Sequence, residues 1–102
     1  MNSIINEKTE EIVRLCIVYN VKNLYVFGSV CNSNFNDLSD IDFLVAFDKN
    51  ISIEKYTNNY FELHYQLEQL LKRKIDLLTD NSLSNPYLIK SIDQTKQLIY
   101  AD

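Results

Sequence analysis

Asp40 and Asp42 flank a single isoleucine at the head of an apolar run, Ile41-Asp42-Phe43-Leu44-Val45. Separated from Asp40 by ten residues, a Gly28-Ser29 pair closes a second apolar run, Leu24-Tyr25-Val26-Phe27. Alternate side chains of a strand share a face, so Asp40 and Asp42 would point the same way, about 6.5 to 7 Å apart. Carboxylates so placed can converge on a pair of divalent ions, which in two-metal phosphoryl transfer lie roughly 3.5 to 4 Å apart and take hard oxygen ligands. A third carboxylate is wanted. Asp76 is the candidate, because it is the one acid in Ile75-Asp76-Leu77-Leu78-Thr79, where an unpaired charge would be costly. The structural alternative for Asp76 is an ion pair with Lys74 or Arg73.

Gly28 is the only glycine in the chain. Glycine lets a backbone approach a phosphate closely, while the Ser29 hydroxyl and nearby amides can donate to its oxygens. A short helical turn starting near Ser29 would also face its free N–H groups toward the anion. Phosphate and carboxylates are then reconciled only by divalent cations, for which magnesium is best suited. Taken singly, Gly-Ser is an ordinary turn and Asp-x-Asp an ordinary strand end. Their conjunction at one fixed spacing has a chance on the order of one in several hundred for average composition.

The elements that must position these residues follow from periodicity. Apolar residues Ile5, Ile12 and Cys16, with Val13 and Ile17, recur at helical spacing over 4–20. Residues 23–27 read as a short buried strand stopping at Gly28, and residues 41–47 as a second strand with both faces largely covered. Ile53, Tyr56, Tyr60, Leu63, Leu67 and Leu70 step by three and four, which predicts a helix to about Lys72. Residues 75–79 form a third strand, Pro86 suits the first turn of a short helix capped by Asn85 or Ser84, and a last short strand falls at 97–100. Helices alternating with short buried strands imply an α/β fold, a small mixed sheet of three to four strands backed by helices.

With 102 residues, 46% of them apolar and 24% charged, the chain is expected to fold as one domain over 1–102 and to take its substrates from outside. A formal net charge of -4 makes direct nucleic-acid binding a poor expectation. No apolar run approaches a membrane span and the start does not read as a secretory leader, so a cytoplasmic protein without membrane partners is expected. Cys16 and Cys31, without a CxxC or a histidine partner, read as reduced thiols. His64 reads as a surface or boundary residue, and Tyr56 and Tyr60 as core, with an interface role for that stripe as the alternative.

The succession Gly28-Ser29, ten residues, Asp40-Ile41-Asp42-Phe43-Leu44-Val45, then Ile75-Asp76-Leu77-Leu78-Thr79 resembles the minimal nucleotidyltransferases of the polymerase-beta superfamily. The tail, from Asn85-Pro86-Tyr87-Leu88 through Ile92 to Leu98-Ile99-Tyr100, is similar to that group's closing helix and final strand. Such proteins are commonly the antitoxin half of bacterial toxin-antitoxin pairs, encoded beside a helical HEPN ribonuclease toxin. The resemblance implies that Gly28 and Ser29 hold ATP, that Asp40, Asp42 and Asp76 coordinate two magnesium ions, and that AMP passes to a tyrosine of the toxin. Asp76 is the candidate to help deprotonate the acceptor hydroxyl. The family often continues after Gly-Ser with a small residue, an arginine and a glycine, whereas this chain has Val30-Cys31-Asn32-Ser33. Cationic help for the phosphates would then come from elsewhere, with Lys72, Arg73 and Lys74 as candidates. Two alternatives stand beside the active antitoxin: a binding-only antitoxin of the same fold, and a small-molecule nucleotidyltransferase similar to aminoglycoside-modifying enzymes. Self-association is compatible with each.

Overall fold

The computed structural model describes residues 3–31, 36 and 39–102. Helix α1 (Ser3–Val18) leads through a tight turn into strand β1 (Val21–Phe27). Asn20 takes the left-handed conformation in that turn, with φ 61°, which asparagine tolerates better than most residues. The turn cuts the helix short of residue 20 and starts the strand two residues before the expected Asn23. Buried Asn59 secures it, its side-chain amide donating to the Tyr19 carbonyl at 2.8 Å and to Asn20 Oδ1 at 3.0 Å.

A short 3-10 turn (Gly28–Cys31) follows β1, and strand β2 (Ile41–Phe47) returns antiparallel to it. Helix α2 (Ile53–Leu71) starts on a Ser52 cap that accepts from the Lys55 amide, and stops at Lys72, whose left-handed backbone sends its N–H to the Glu68 carbonyl. Strand β3 (Ile75–Thr79) then runs parallel to β2. After a second 3-10 turn (Asp80–Ser82), helix α3 (Pro86–Thr95) begins with Pro86 in its first turn, and Asn85 Oδ1 accepts from the Tyr87 and Leu88 amides. Strand β4 (Gln97–Ala101) completes a mixed sheet in the order β3-β2-β1-β4, with β4 antiparallel to β1.

The alternation of β2 decides where the core sits. Ile41, Phe43 and Val45 are fully buried and join Ile5, Ile12 and Cys16 of α1 and Leu63 and Leu67 of α2 in one cluster. Each such side chain contributes about 1.5 to 3 kcal/mol relative to an exposed one. Asp42, Leu44 and Ala46 face the other way and are only half-buried, so β2 is not covered on both faces as its unbroken apolar sequence suggests. The less covered face is the one that carries Asp42. Ile17, though in helical register with Val13, is 62% exposed and lies outside the core stripe. Burial pushes the Cys16 thiol up to about 12, which leaves it unreactive at neutral pH, and both cysteines are free. Among the described residues no helix is long and apolar enough to cross a membrane.

Candidate active site

The antiparallel pairing of β1 and β2 sets Phe27 opposite Asp42, so the chain leaves β1 directly beside that carboxylate. Gly28 turns away with φ 77°, a conformation that disfavours any side chain. A Cβ on Gly28 would lie 2.5 Å from Asp42 Oδ2. Two separate constraints therefore select glycine here: the left-handed turn and the carboxylate packed against it. The short helical turn considered near Ser29 is a 3-10 turn that begins at Gly28, with Ser29 half-buried and Val30 buried.

The parallel pairing of β2 and β3 sets Asp42 directly alongside Asp76. Burial, the charge of Asp76, a hydrogen bond with the Asp76 carboxyl and the charge of Asp40 together raise Asp42 from 3.8 to about 6. A hydrogen bond between two carboxyls needs a shared proton. Asp40, one residue before β2, lies 3.9 Å from Lys74 Nζ in a partly exposed ion pair. Among the described residues no three acids close on a common point as a preformed ligand set. The structure thus brings Asp42 and Asp76 together and places Asp40 beside Lys74. The donor chemistry fits a hard divalent cation: the proton that Asp42 retains to about pH 6 answers an excess of negative charge that a cation would relieve.

Three further residues brace the site. Arg73 Nη1 donates to the Asn36 carbonyl at 3.0 Å and the Ser39 carbonyl at 2.9 Å, tying down the approach to Asp40. The Ile41 amide donates to the Lys74 carbonyl at 3.2 Å, joining the start of β2 to the turn before β3. Thr95, the last residue of α3, accepts from the Gly28 amide at 3.0 Å and donates its own hydroxyl proton to the Ser91 carbonyl at 3.4 Å. Thr95→Val deletes that acceptor and keeps the shape, so urea unfolding should show a loss of about 0.5 to 1.5 kcal/mol. A midpoint unchanged from wild type would show that the bond contributes nothing.

The sequence profile described as polymerase beta, nucleotidyltransferase matches residues 10–102. The chain belongs to that family. A Methanocaldococcus jannaschii relative described as a candidate protein adenylyltransferase is 42% identical over 82 residues, 80% of this chain and 78% of the relative. Among solved structures, a toxin-antitoxin complex with AMP-PNP is similar at a TM-score of 0.71 and 21% identity, over 92% of this chain and 73% of that one. A tri-AMPylated Shewanella oneidensis HEPN toxin in complex with MNT antitoxin gives 0.65 and 20%, over 95% and 72%. At these identities the likeness is one of fold, and it agrees with the polymerase-beta-like α/β architecture expected from the sequence.

The nucleotidyltransferase match takes in Gly28, Ser29, Asp40, Asp42 and Asp76 alike. Two of the three cations suggested for the phosphates are engaged otherwise, Arg73 with the Asn36 and Ser39 carbonyls and Lys74 with Asp40. Lys72 is exposed in the left-handed cap of α2. Of the Val30-Cys31-Asn32-Ser33 segment, Asn32 and Ser33 lie outside the described residues. Sequence reasoning missed Thr95 and the bracing role of Arg73, because a side chain bonded to a distant backbone group leaves no spacing signal.

Proposed function

We propose that this nucleotidyltransferase is an antitoxin that moves AMP from ATP to a hydroxyl of a helical HEPN-type toxin, a tyrosine being the acceptor. The carrying observation is the Asp42–Asp76 pair, in register across β2 and β3 with Gly28 packed against it. The 42% identical relative described as a candidate protein adenylyltransferase supports protein as the acceptor. The fold neighbours, one holding AMP-PNP and one a HEPN toxin carrying AMP, support the nucleotide and the partner.

In this reading the 102 residues act as one catalytic domain and the partner supplies the acceptor surface. Two magnesium ions, held by Asp42 and Asp76 with Asp40 beside them, would neutralise charge on the transferring phosphoryl group. Asp42 must be ionised to serve as a ligand, so a cation would displace the proton that the metal-free carboxyl keeps to about 6. Gly28 lets the backbone come close to the triphosphate, and the Ser29 hydroxyl donates to a phosphate oxygen. The acceptor oxygen bonds to the α-phosphorus, the bond to the bridging oxygen breaks, and pyrophosphate leaves. Asp76, whose side chain is exposed, would take the acceptor proton.

Incubation with labelled ATP, magnesium and the product of the adjacent gene, followed by intact-mass analysis, tests this directly. A gain of one or more AMP units on the partner is the expected result. A second reading, the binding-only antitoxin, is favoured by the engagement of Arg73 with the Asn36 and Ser39 carbonyls and of Lys74 with Asp40. It predicts a stable complex that silences the partner with no gain in mass.

A further inference from the structure

Among the described residues β3 is an edge strand, with β2 on one side only. An edge strand presents a row of backbone groups with no strand to pair them. Here a helix serves instead. Tyr60 of α2 donates its hydroxyl to the Leu77 carbonyl at 2.7 Å, and His64 Nε2 lies 2.8 Å from the Ile75 carbonyl. The Ile75 amide in turn donates to Glu68 Oε2 at 3.2 Å. Because a carbonyl can only accept, His64 carries its proton on Nε2.

The spacing has a geometric cause. Four residues of helix advance about 6 Å and two residues of strand about 6.6 Å, so Tyr60 and His64 keep step with the carbonyls of Leu77 and Ile75, and Glu68, one turn on, reaches the amide of the same Ile75. Alternate groups are also the ones that face outward. The Lys74 carbonyl points the other way, accepting from the Ile41 amide of β2. Asp76 lies between the two residues whose carbonyls the ladder holds, Ile75 and Leu77. Its side chain is exposed, so apart from its bond to Asp42 its aim is set by the strand beneath it.

We propose that Tyr60, His64 and Glu68 are positioning residues, a side-chain strand that holds β3 in register and so sets Asp76 against Asp42. The proposal deepens the transferase reading and rests on it. None of the three need touch nucleotide or acceptor. Their effect passes through the backbone on either side of Asp76.

The test compares His64→Leu, His64→Gln and Tyr60→Phe with wild type in the full chain. Three quantities are measured: kcat and the KM for ATP in AMP transfer, Mn2+ affinity by electron paramagnetic resonance, and the melting temperature. Losing a supporting hydrogen bond behind a metal ligand typically costs 10-fold or more in affinity or activity. His64→Leu and Tyr60→Phe should each lower kcat and Mn2+ affinity by about 10-fold and leave the KM for ATP within about twofold. His64→Gln, which still donates from a side-chain amide, should recover most of the loss. A purely structural ladder would instead lower the melting temperature while kcat and Mn2+ affinity stayed within about twofold, and that result overturns the proposal. Failure of glutamine to restore either quantity overturns it too, as does a wild-type protein that does not bind Mn2+. Mn2+ binding that follows the ladder in a protein that transfers no AMP would sink the transferase reading and leave the positioning role standing.

Discussion

Asp42→Asn is expected to abolish AMP transfer and, in the metal-free protein at pH 7, to raise the melting temperature. The activity loss follows from removing a charged ligand beside the reacting phosphate. Interactions of that kind are worth several kcal/mol, so transfer should fall about 10^3-fold or more. The gain in stability has the opposite origin. An unfolded chain releases the Asp42 proton near 3.8, whereas the folded protein keeps it to about 6 because of burial and the neighbouring Asp76 and Asp40. Between those values the native state binds more protons than the unfolded state, so stability falls as pH rises from about 4 to about 6. Above pH 6 the whole deficit persists.

Asparagine removes the charge and keeps the shape. Allowing for solvent screening, a gain of about 1 kcal/mol would raise the melting temperature by about 4 to 8 °C. Thermal unfolding of both proteins from pH 4 to 7 should give curves that diverge as pH rises. Parallel curves, or a variant that melts lower at pH 7, would show that Asp42 carries no such strain. The same proton competes with metal, so magnesium affinity should rise as pH passes through 6 in the wild type.

Gly28→Ala should damage fold and activity together. Alanine at φ 77° costs about 1 to 2 kcal/mol, and its Cβ would stand 2.5 Å from Asp42 Oδ2, so the carboxylate must move. A displacement of about 1 Å at a reacting site can cost 10^2-fold in rate. We therefore expect a loss of about 1 to 3 kcal/mol in denaturant unfolding and about a 10^2-fold loss in AMP transfer. The collision and the backbone strain can be separated. In an Asp42→Ala background the collision is absent, so Gly28→Ala should cost less there, and strict additivity would show that the two residues do not press on one another.

Much of this site was legible because its chemistry is written in residue types. A single glycine in 102 residues and two aspartates around one isoleucine stand out without any knowledge of pairing. The order of elements was legible for the same reason, since helix and strand periods are local. Lateral relations were not. That Asp42 lies beside Asp76, and Phe27 opposite Asp42, depends on which strands pair and in what register, which no window of sequence contains. His64, expected at the surface or the boundary, is half-buried, but its bond to the Ile75 carbonyl could not be foreseen from helix spacing. The exposure of Ile17 has a similar cause, because a helical repeat shows which residues share a side and not how wide the buried stripe is.

The bond from the Gly28 amide to Thr95 has a consequence for how the protein comes into being. Gly28, Asp40 and Asp42 leave the ribosome early, but Asp42 meets Asp76 only after α2 has crossed over and β3 has docked. The turn at Gly28 gains its hydroxyl partner later still, when α3 is complete. A nascent chain stalled before α3 would pair Asp42 with Asp76 but leave the Gly28 amide without its Thr95 partner, so full ligand-dependent protection from proteolysis should appear only once α3 has emerged.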